Sequence, residues 1–328
     1  MNAYIRSVGS FVPNNRVSNH DLAKVVDTTD EWIFSHTGIR SRHFASENLS
    51  TSDLAVEAAH KAIKNGHLHA RDIDMILVAT ATPDYCGFPA TACIVQDKIG
   101  ARHAAAMDIG AACTGFIYGL ETAKAFVLAG TALNILVIGC EMFSKIINWE
   151  DRSTCVLFGD GAGAAVVSES TQGSASRIIT STLHAEGHGA HFLARPVGGT
   201  RKPFSCTNID ERDLYLQMDG RKVYNFAVKV LCDTITRLLD SHNVTLDDIK
   251  YIVPHQANSR IIEAAAKRKN IPMSKFYMNI EEYANTSAAS IPIALDEMVE
   301  KKLLNRGDII LTIGFGSGLT YGGNLICW

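Results

Sequence analysis

Two apolar patterns alternate along the chain. Short runs such as Ile73-Asp74-Met75-Ile76-Leu77-Val78, Ala104-Ala105-Ala106-Met107-Asp108-Ile109 and Ile135-Leu136-Val137-Ile138 read as buried strands. Between them, apolar residues recur at helical spacing over 55–65, 117–128, 226–242 and 261–269, with Gly130 placed to stop the second of these. Strands alternating with amphipathic helices predict an α/β fold with largely parallel or mixed sheets.

The pattern is also written twice. Asp72-Ile73-Asp74-Met75-Ile76-Leu77-Val78 is echoed by Asp248-Ile249-Lys250-Tyr251-Ile252-Val253, and Ile135-Leu136-Val137-Ile138-Gly139 by Ile310-Leu311-Thr312-Ile313-Gly314. Ile73 and Ile249 stand 176 positions apart, Gly139 and Gly314 175. Two echoes at nearly one offset predict a duplication, with halves over 1–171 and 172–328.

At 328 residues, 47% hydrophobic and 20% charged, the chain can bury a large core. A net charge of −3 gives no global attraction to nucleic acid or to an anionic membrane. The longest apolar runs are interrupted by Asp108, Gly110 or Glu141, too early for a membrane span. Eight cysteines without a CxxC pair argue for a reducing compartment and against structural zinc. The opening Met1-Asn2-Ala3-Tyr4-Ile5-Arg6 is strand-like and unlike a signal peptide, so a soluble cytoplasmic protein is expected.

The candidate nucleophile is Cys113. It lies between the strand ending at Ile109 and the helix that begins near Ile117. A helix N-terminus favours a thiolate, and the small neighbours Ala111, Ala112, Thr114 and Gly115 are expected to leave the sulfur accessible. The other seven cysteines read as packing residues. An offset of about 172 from Cys113 falls on Asn285, at a second strand-to-helix junction, so the two helix starts are expected to face one centre. His255 follows an apolar strand in Val253-Pro254-His255-Gln256-Ala257-Asn258, where α/β proteins commonly bind ligands. Taken singly, Asn285 is a helix cap and His255 a structural histidine; the duplication brings them together.

Two glycine turns, Phe158-Gly159-Asp160-Gly161-Ala162-Gly163 and Phe315-Gly316-Ser317-Gly318, lack the lysine and spacing of a phosphate-binding loop. The second is placed to aim an N–H at a reacting oxygen. His184, His188 and His191 stand near Glu186, but Gly187 and Gly189 deny them a shared helix face, and no metal site is expected.

Assembled, these segments resemble the β-ketoacyl-acyl-carrier-protein synthase III family of the thiolase superfamily. Asp30-Glu31-Trp32-Ile33 with Thr37-Gly38-Ile39-Arg40, the cysteine segment, the Asp160 turn, Pro254-His255-Gln256-Ala257-Asn258, Asn285-Thr286-Ser287-Ala288-Ala289-Ser290 and the last glycine turn all match. The resemblance implies a duplicated five-layer αβαβα thiolase-like fold, a homodimer, and a decarboxylative condensation of acyl-CoA with malonyl-carrier protein that needs no cofactor. It implies Cys113, His255 and Asn285 as the catalytic residues and the N–H groups of Cys113 and Ser317 as the oxyanion hole. Trp32, Arg152, Gly220, Tyr224, Ala257 and Asn258 would bind CoA and its pantetheine arm. Phe88 would cap the partner's acyl pocket, and Arg260, Lys267 and Arg268 would meet the acidic carrier protein. The chain departs from the family at His36, in place of a CoA-binding arginine, at Ser317, in place of glycine, and in a longer segment over 196–213. A secondary-metabolism acyltransferase on the same fold is the alternative reading.

Overall fold

The strands of the computed structural model, which describes residues 2–170 and 174–328, form two main sheets with the same spatial order. The expected boundary at 171/172 lies outside the described residues. The first sheet runs Ala3–Phe11, Gly161–Glu169, Asn134–Glu141, Met75–Ala79 and Ala105–Ile109. The second runs Arg177–Ala185, Thr320–Cys327, Ile309–Gly316 and Ile249–Pro254, with its fifth place held only by a parallel bridge from Ile252 to Phe276. In both, two antiparallel pairings are followed by parallel ones, so the sheets are mixed.

Strand alternation sorts the apolar side chains into three cores. Ile76, Val78, Leu136 and Ile138 face the outer helix Thr51–Asn65, while Leu77, Ile135 and Val137 face a middle layer. The helices Gly115–Leu128 and Ser290–Glu300 form that middle layer, which also receives Ile310 and Ile326 from the second sheet. Leu311, Ile313 and Leu325 point the other way, onto Gly220–Asp240 and Ser259–Lys269. Each fully buried leucine or isoleucine contributes roughly 1.5–3 kcal/mol, which makes this layering the main source of stability. The result is the five-layer αβαβα arrangement. No helix among the described residues is long and apolar enough to cross a membrane.

The duplication sets the site in a register that differs from the expected one. Single 3-10 turns at Ala112–Thr114 and Ser287–Ala289 lead into the two middle helices. That is an offset of 175, which puts Ala288 opposite Cys113 and Asn285 opposite Gly110. Ala112 and Ser287, equivalent in this register, share a left-handed backbone, with φ of 46° and 50°. Gly139 explains how the second turn lies so close to its strand: a Cβ there would stand 2.1 Å from the Ala288 carbonyl oxygen.

Candidate active site

Cys113, His255 and Asn285 line a single cavity of about 290 Å³ and are only 6%, 1% and 7% exposed. His255 and Asn285 are held by their backbones. The His255 N–H donates to the Ile313 carbonyl at 2.8 Å, and the Asn285 N–H to the Leu157 carbonyl at 2.9 Å. Ala284, just before Asn285, has φ 56° and ψ −157°, a conformation almost confined to glycine. The Asn285 carboxamide oxygen accepts from the Ser287 N–H at 2.8 Å, which leaves its NH₂ group free to donate into the cavity. Asn285 is therefore a cap and a candidate donor at once.

The His255 ring packs edge-on against Phe315, and its Nδ1 lies 2.8 Å from the Ser290 hydroxyl. Burial pushes this imidazole down to about 3, so the ring is neutral at physiological pH. Ser290 has one hydroxyl hydrogen and two acceptors in reach, His255 Nδ1 and the Ser287 carbonyl at 2.8 Å. When that hydrogen points at Nδ1, the ring proton sits on Nε2 and is available as a donor.

Cys113 departs from expectation. Desolvation pushes its thiol up to about 12; the Ser287 hydroxyl, 3.2 Å from the sulfur, opposes the shift and the nearby Glu141 carboxylate adds to it. The resting residue is a buried thiol, not the accessible thiolate that its place before a helix predicted, because loss of water outweighs the helix terminus. Glu141 itself is fully buried. It accepts from the Thr82 hydroxyl at 2.7 Å, the Ala81 N–H at 3.0 Å and the Ser287 hydroxyl at 3.0 Å. Burial still pushes its carboxyl up to about 7.

The profile described as 3-oxoacyl-[acyl-carrier-protein (ACP)] synthase III matches residues 107–187, and the profile for the C-terminal part of the same family matches 239–328. A β-ketoacyl-[acyl-carrier-protein] synthase III from Caldanaerobacter subterraneus subsp. tengcongensis is 50% identical over 99% of this chain and 98% of its own. The chain belongs to the 3-oxoacyl-[acyl-carrier-protein] synthase III family. A synthase III from Natranaerobius thermophilus is 47% identical over 100% of this chain and 99% of its own. Among solved structures, the synthase III of Aquifex aeolicus is 41% identical with a TM-score of 0.91, covering 99% of this chain and 100% of that one.

The residues this synthase family implies for CoA line the same cavity nearer its mouth. Trp32 and Ala257 are half-buried, and Arg152, Gly220 and Tyr224 are exposed. The Arg152 guanidinium lies 4.6 Å from the Trp32 ring, whose other neighbour is the stacked His36 ring at 4.4 Å. His36 Nδ1 donates to the Trp32 carbonyl at 2.7 Å, so the histidine in place of arginine buttresses the tryptophan. Asn258 caps the Ser259–Lys269 helix through the Arg260 N–H, and its amide donates to the His36 carbonyl at 3.0 Å. That bond ties the mouth to the helix bearing Arg260, Lys267 and Arg268, all three exposed and free of ion pairs among the described residues.

Ser317 does not line the cavity, and its hydroxyl donates to the Leu193 carbonyl; the neighbour against Cys113 is Gly316, whose added Cβ would stand 2.8 Å from the Cys113 nitrogen. Phe88 is 87% exposed and lines a second cavity with Arg195 and with Val197 and Gly198 of the long loop. His184 bonds to Thr182 and Arg237 and stacks on Tyr321, whereas His188 and His191 stay at the surface. Among the described residues no group of three His, Cys, Asp or Glu side chains could hold a metal. Sequence reading missed Ser287, Ser290 and Glu141; the 175-residue register, applied from Ala112, is the signal that leads to Ser287.

Proposed function

We propose that this β-ketoacyl-carrier-protein synthase III joins an acyl-CoA primer, acetyl-CoA in the first instance, to malonyl-carrier protein. The reaction loses CO₂ and gives CoA and a 3-oxoacyl-carrier protein, which starts type II fatty-acid synthesis. The observation that carries the reading is the convergence of a buried thiol, a neutral imidazole and a free carboxamide NH₂ on one cavity.

Cys113 attacks the acyl-CoA thioester and CoA leaves; the donors to the oxyanion are the Cys113 N–H and the backbone N–H of Ser317, which follows the Gly316 packed on Cys113 although the Ser317 side chain turns away to Leu193. Malonyl-carrier protein then loses CO₂. Nε2–H of His255 and the Asn285 amide stabilise the enolate oxygen, and the carbanion attacks the acyl group on Cys113. Trp32 and Arg152 hold the CoA adenine and phosphates; Gly220, Tyr224, Ala257 and Asn258 guide the pantetheine arm. Exposed Phe88 is assigned to a second copy of the chain, as the cap of that copy's acyl pocket. Eight free cysteines fit a cytoplasmic home.

The test is product analysis. Acetyl-CoA with malonyl-carrier protein is expected to release CO₂ in step with 3-oxobutanoyl-carrier protein. Acyl transfer to another acceptor without CO₂ would instead support the secondary-metabolism acyltransferase. A separate prediction concerns the basic helix face. Reversing the charge of Arg260 and Lys267 together should raise KM for malonyl-carrier protein on the order of tenfold. KM for acyl-CoA should hold, and the defect should shrink in high salt. Equal losses for both substrates would assign the damage to folding.

A further inference from the structure

The nucleophile does not stand alone in its cavity. The Ser287 hydroxyl lies 3.2 Å from Cys113 Sγ and 3.0 Å from Glu141 Oε1, and all three residues are buried. One hydroxyl hydrogen cannot serve two acceptors. Either Ser287 donates to an ionised Glu141 while the thiol donates to Ser287, or a protonated Glu141 donates to Ser287 while Ser287 donates to a thiolate. The two arrangements have the same net charge and differ only in where it sits.

From this geometry we infer that Cys113 and Glu141 share one proton through the Ser287 hydroxyl, with Glu141 acting as the internal acceptor that lets the buried thiol ionise. The inference rests on Cys113 as the nucleophile. As the thiol ionises, its proton passes to Ser287 Oγ and the Ser287 proton passes to Glu141 Oε1. The sulfur then bonds to the acyl carbon, and the carbon–sulfur bond to CoA breaks. CoA leaves as a thiolate and takes a proton from solvent. Condensation later expels the Cys113 thiolate, and the proton on Glu141 returns by the same path. One solvent proton is consumed per cycle, as loss of CO₂ from a malonyl anion requires.

Three features support the device over a purely structural carboxylate. Expelling a proton to bulk water from a filled cavity would leave a new buried charge, whereas the internal shift only moves an existing one. Ser287 carries a left-handed φ of 50° although it is not glycine, and that conformation places its hydroxyl between the two groups. Finally, Glu141 makes no ion pair among the described residues. The titratable groups around it are Cys113 and the adjacent Cys140, with Asp84 and Asp160 acting on Cys140; His255 in the same cavity as Cys113 is neutral.

The test is the pH profile of Cys113 alkylation by iodoacetamide, resolved from the exposed Cys86, Cys93 and Cys206 by peptide mass mapping. It requires no condensation, so its failure is distinct from failure of the synthase reading. If the pair shares a proton, reactivity in the unaltered protein climbs with pH to a plateau once the pair has lost its first proton, near the Glu141 value of about 7. Glu141→Gln should remove the plateau and leave a single climb that exceeds the unaltered protein at pH 9 by at least about tenfold, the scale of one unit of coupling. Loosening of the fold would also expose the thiol and raise its reactivity, and it is read separately, because it would label the buried Cys140, Cys155 and Cys232 as well; a gain at Cys113 accompanied by labelling of those three overturns the proton-sharing reading of that gain. Ser287→Gly suits the backbone and deletes the hydroxyl, so its plateau should weaken. A Glu141→Gln profile that overlays the unaltered one overturns proton sharing, and an unchanged plateau in Ser287→Gly overturns the serine link.

Discussion

Cys113→Ala is expected to abolish acyl-enzyme formation from acetyl-CoA and to lower condensation by on the order of 10⁴-fold or more, the scale seen when a covalent nucleophile is removed. The size follows from the cavity. Among the described residues no other cysteine lines it: Cys140, Cys155, Cys232 and Cys327 are buried elsewhere, and Cys86, Cys93 and Cys206 are exposed. Nor can the neighbouring Ser287 replace it, since a hydroxyl lacks the acidity and nucleophilicity of a thiol. Intact mass measurement after incubation with acetyl-CoA should show one acetyl group on the unaltered protein, mapped to Cys113, and none on the variant. An acetyl group on any other cysteine would contradict the assignment.

The layered fold was legible in the chain because both of its periodicities are local. Ile76 and Val78 against Leu77 is a strand pattern wherever the strand ends up, and the echo between Ile135–Gly139 and Ile310–Gly314 carried the doubled sheet order. The site was legible in its residues but not in its register. The true offset of 175 equates Ala112 with Ser287, and nothing local reveals that both adopt left-handed backbone. The state of Cys113 was misread for a related reason. A helix terminus is visible in sequence, but the burial that overrides it arises from packing by Gly316 and Ser287, distant along the chain. Glu141 looked like the polar end of an apolar run; only the loop at Ala81 and Thr82 and the turn at Ser287 turn it into a buried carboxyl beside the nucleophile.

The second large effect separates the two half-reactions. Asn285→Ala should leave acylation of Cys113 nearly intact and slow loss of CO₂ from malonyl-carrier protein by ~10²–10³, the usual cost of one oxyanion-type donor. Because Asn285 also caps the Ser287 turn, Asn285→Asp is the sharper control: it keeps an oxygen for the Ser287 N–H and removes the NH₂. His255→Ala should behave like Asn285→Ala. The imidazole, held down at about 3, stays neutral from pH 8 to pH 5, so decarboxylation should show no limb near its ordinary value of 6.5. The proton cost falls on stability instead. The unfolded chain protonates this histidine near 6.5 and the native one near 3, so stability contributed by the neutral ring is lost as pH falls through that window. The most direct measurement of the central claim is CO₂ release from malonyl-carrier protein beside acyl-enzyme formation in Asn285→Asp. Normal acylation with CO₂ release cut at least about a hundredfold is the predicted result; normal CO₂ release would reduce Asn285 to a cap and contradict the mechanism.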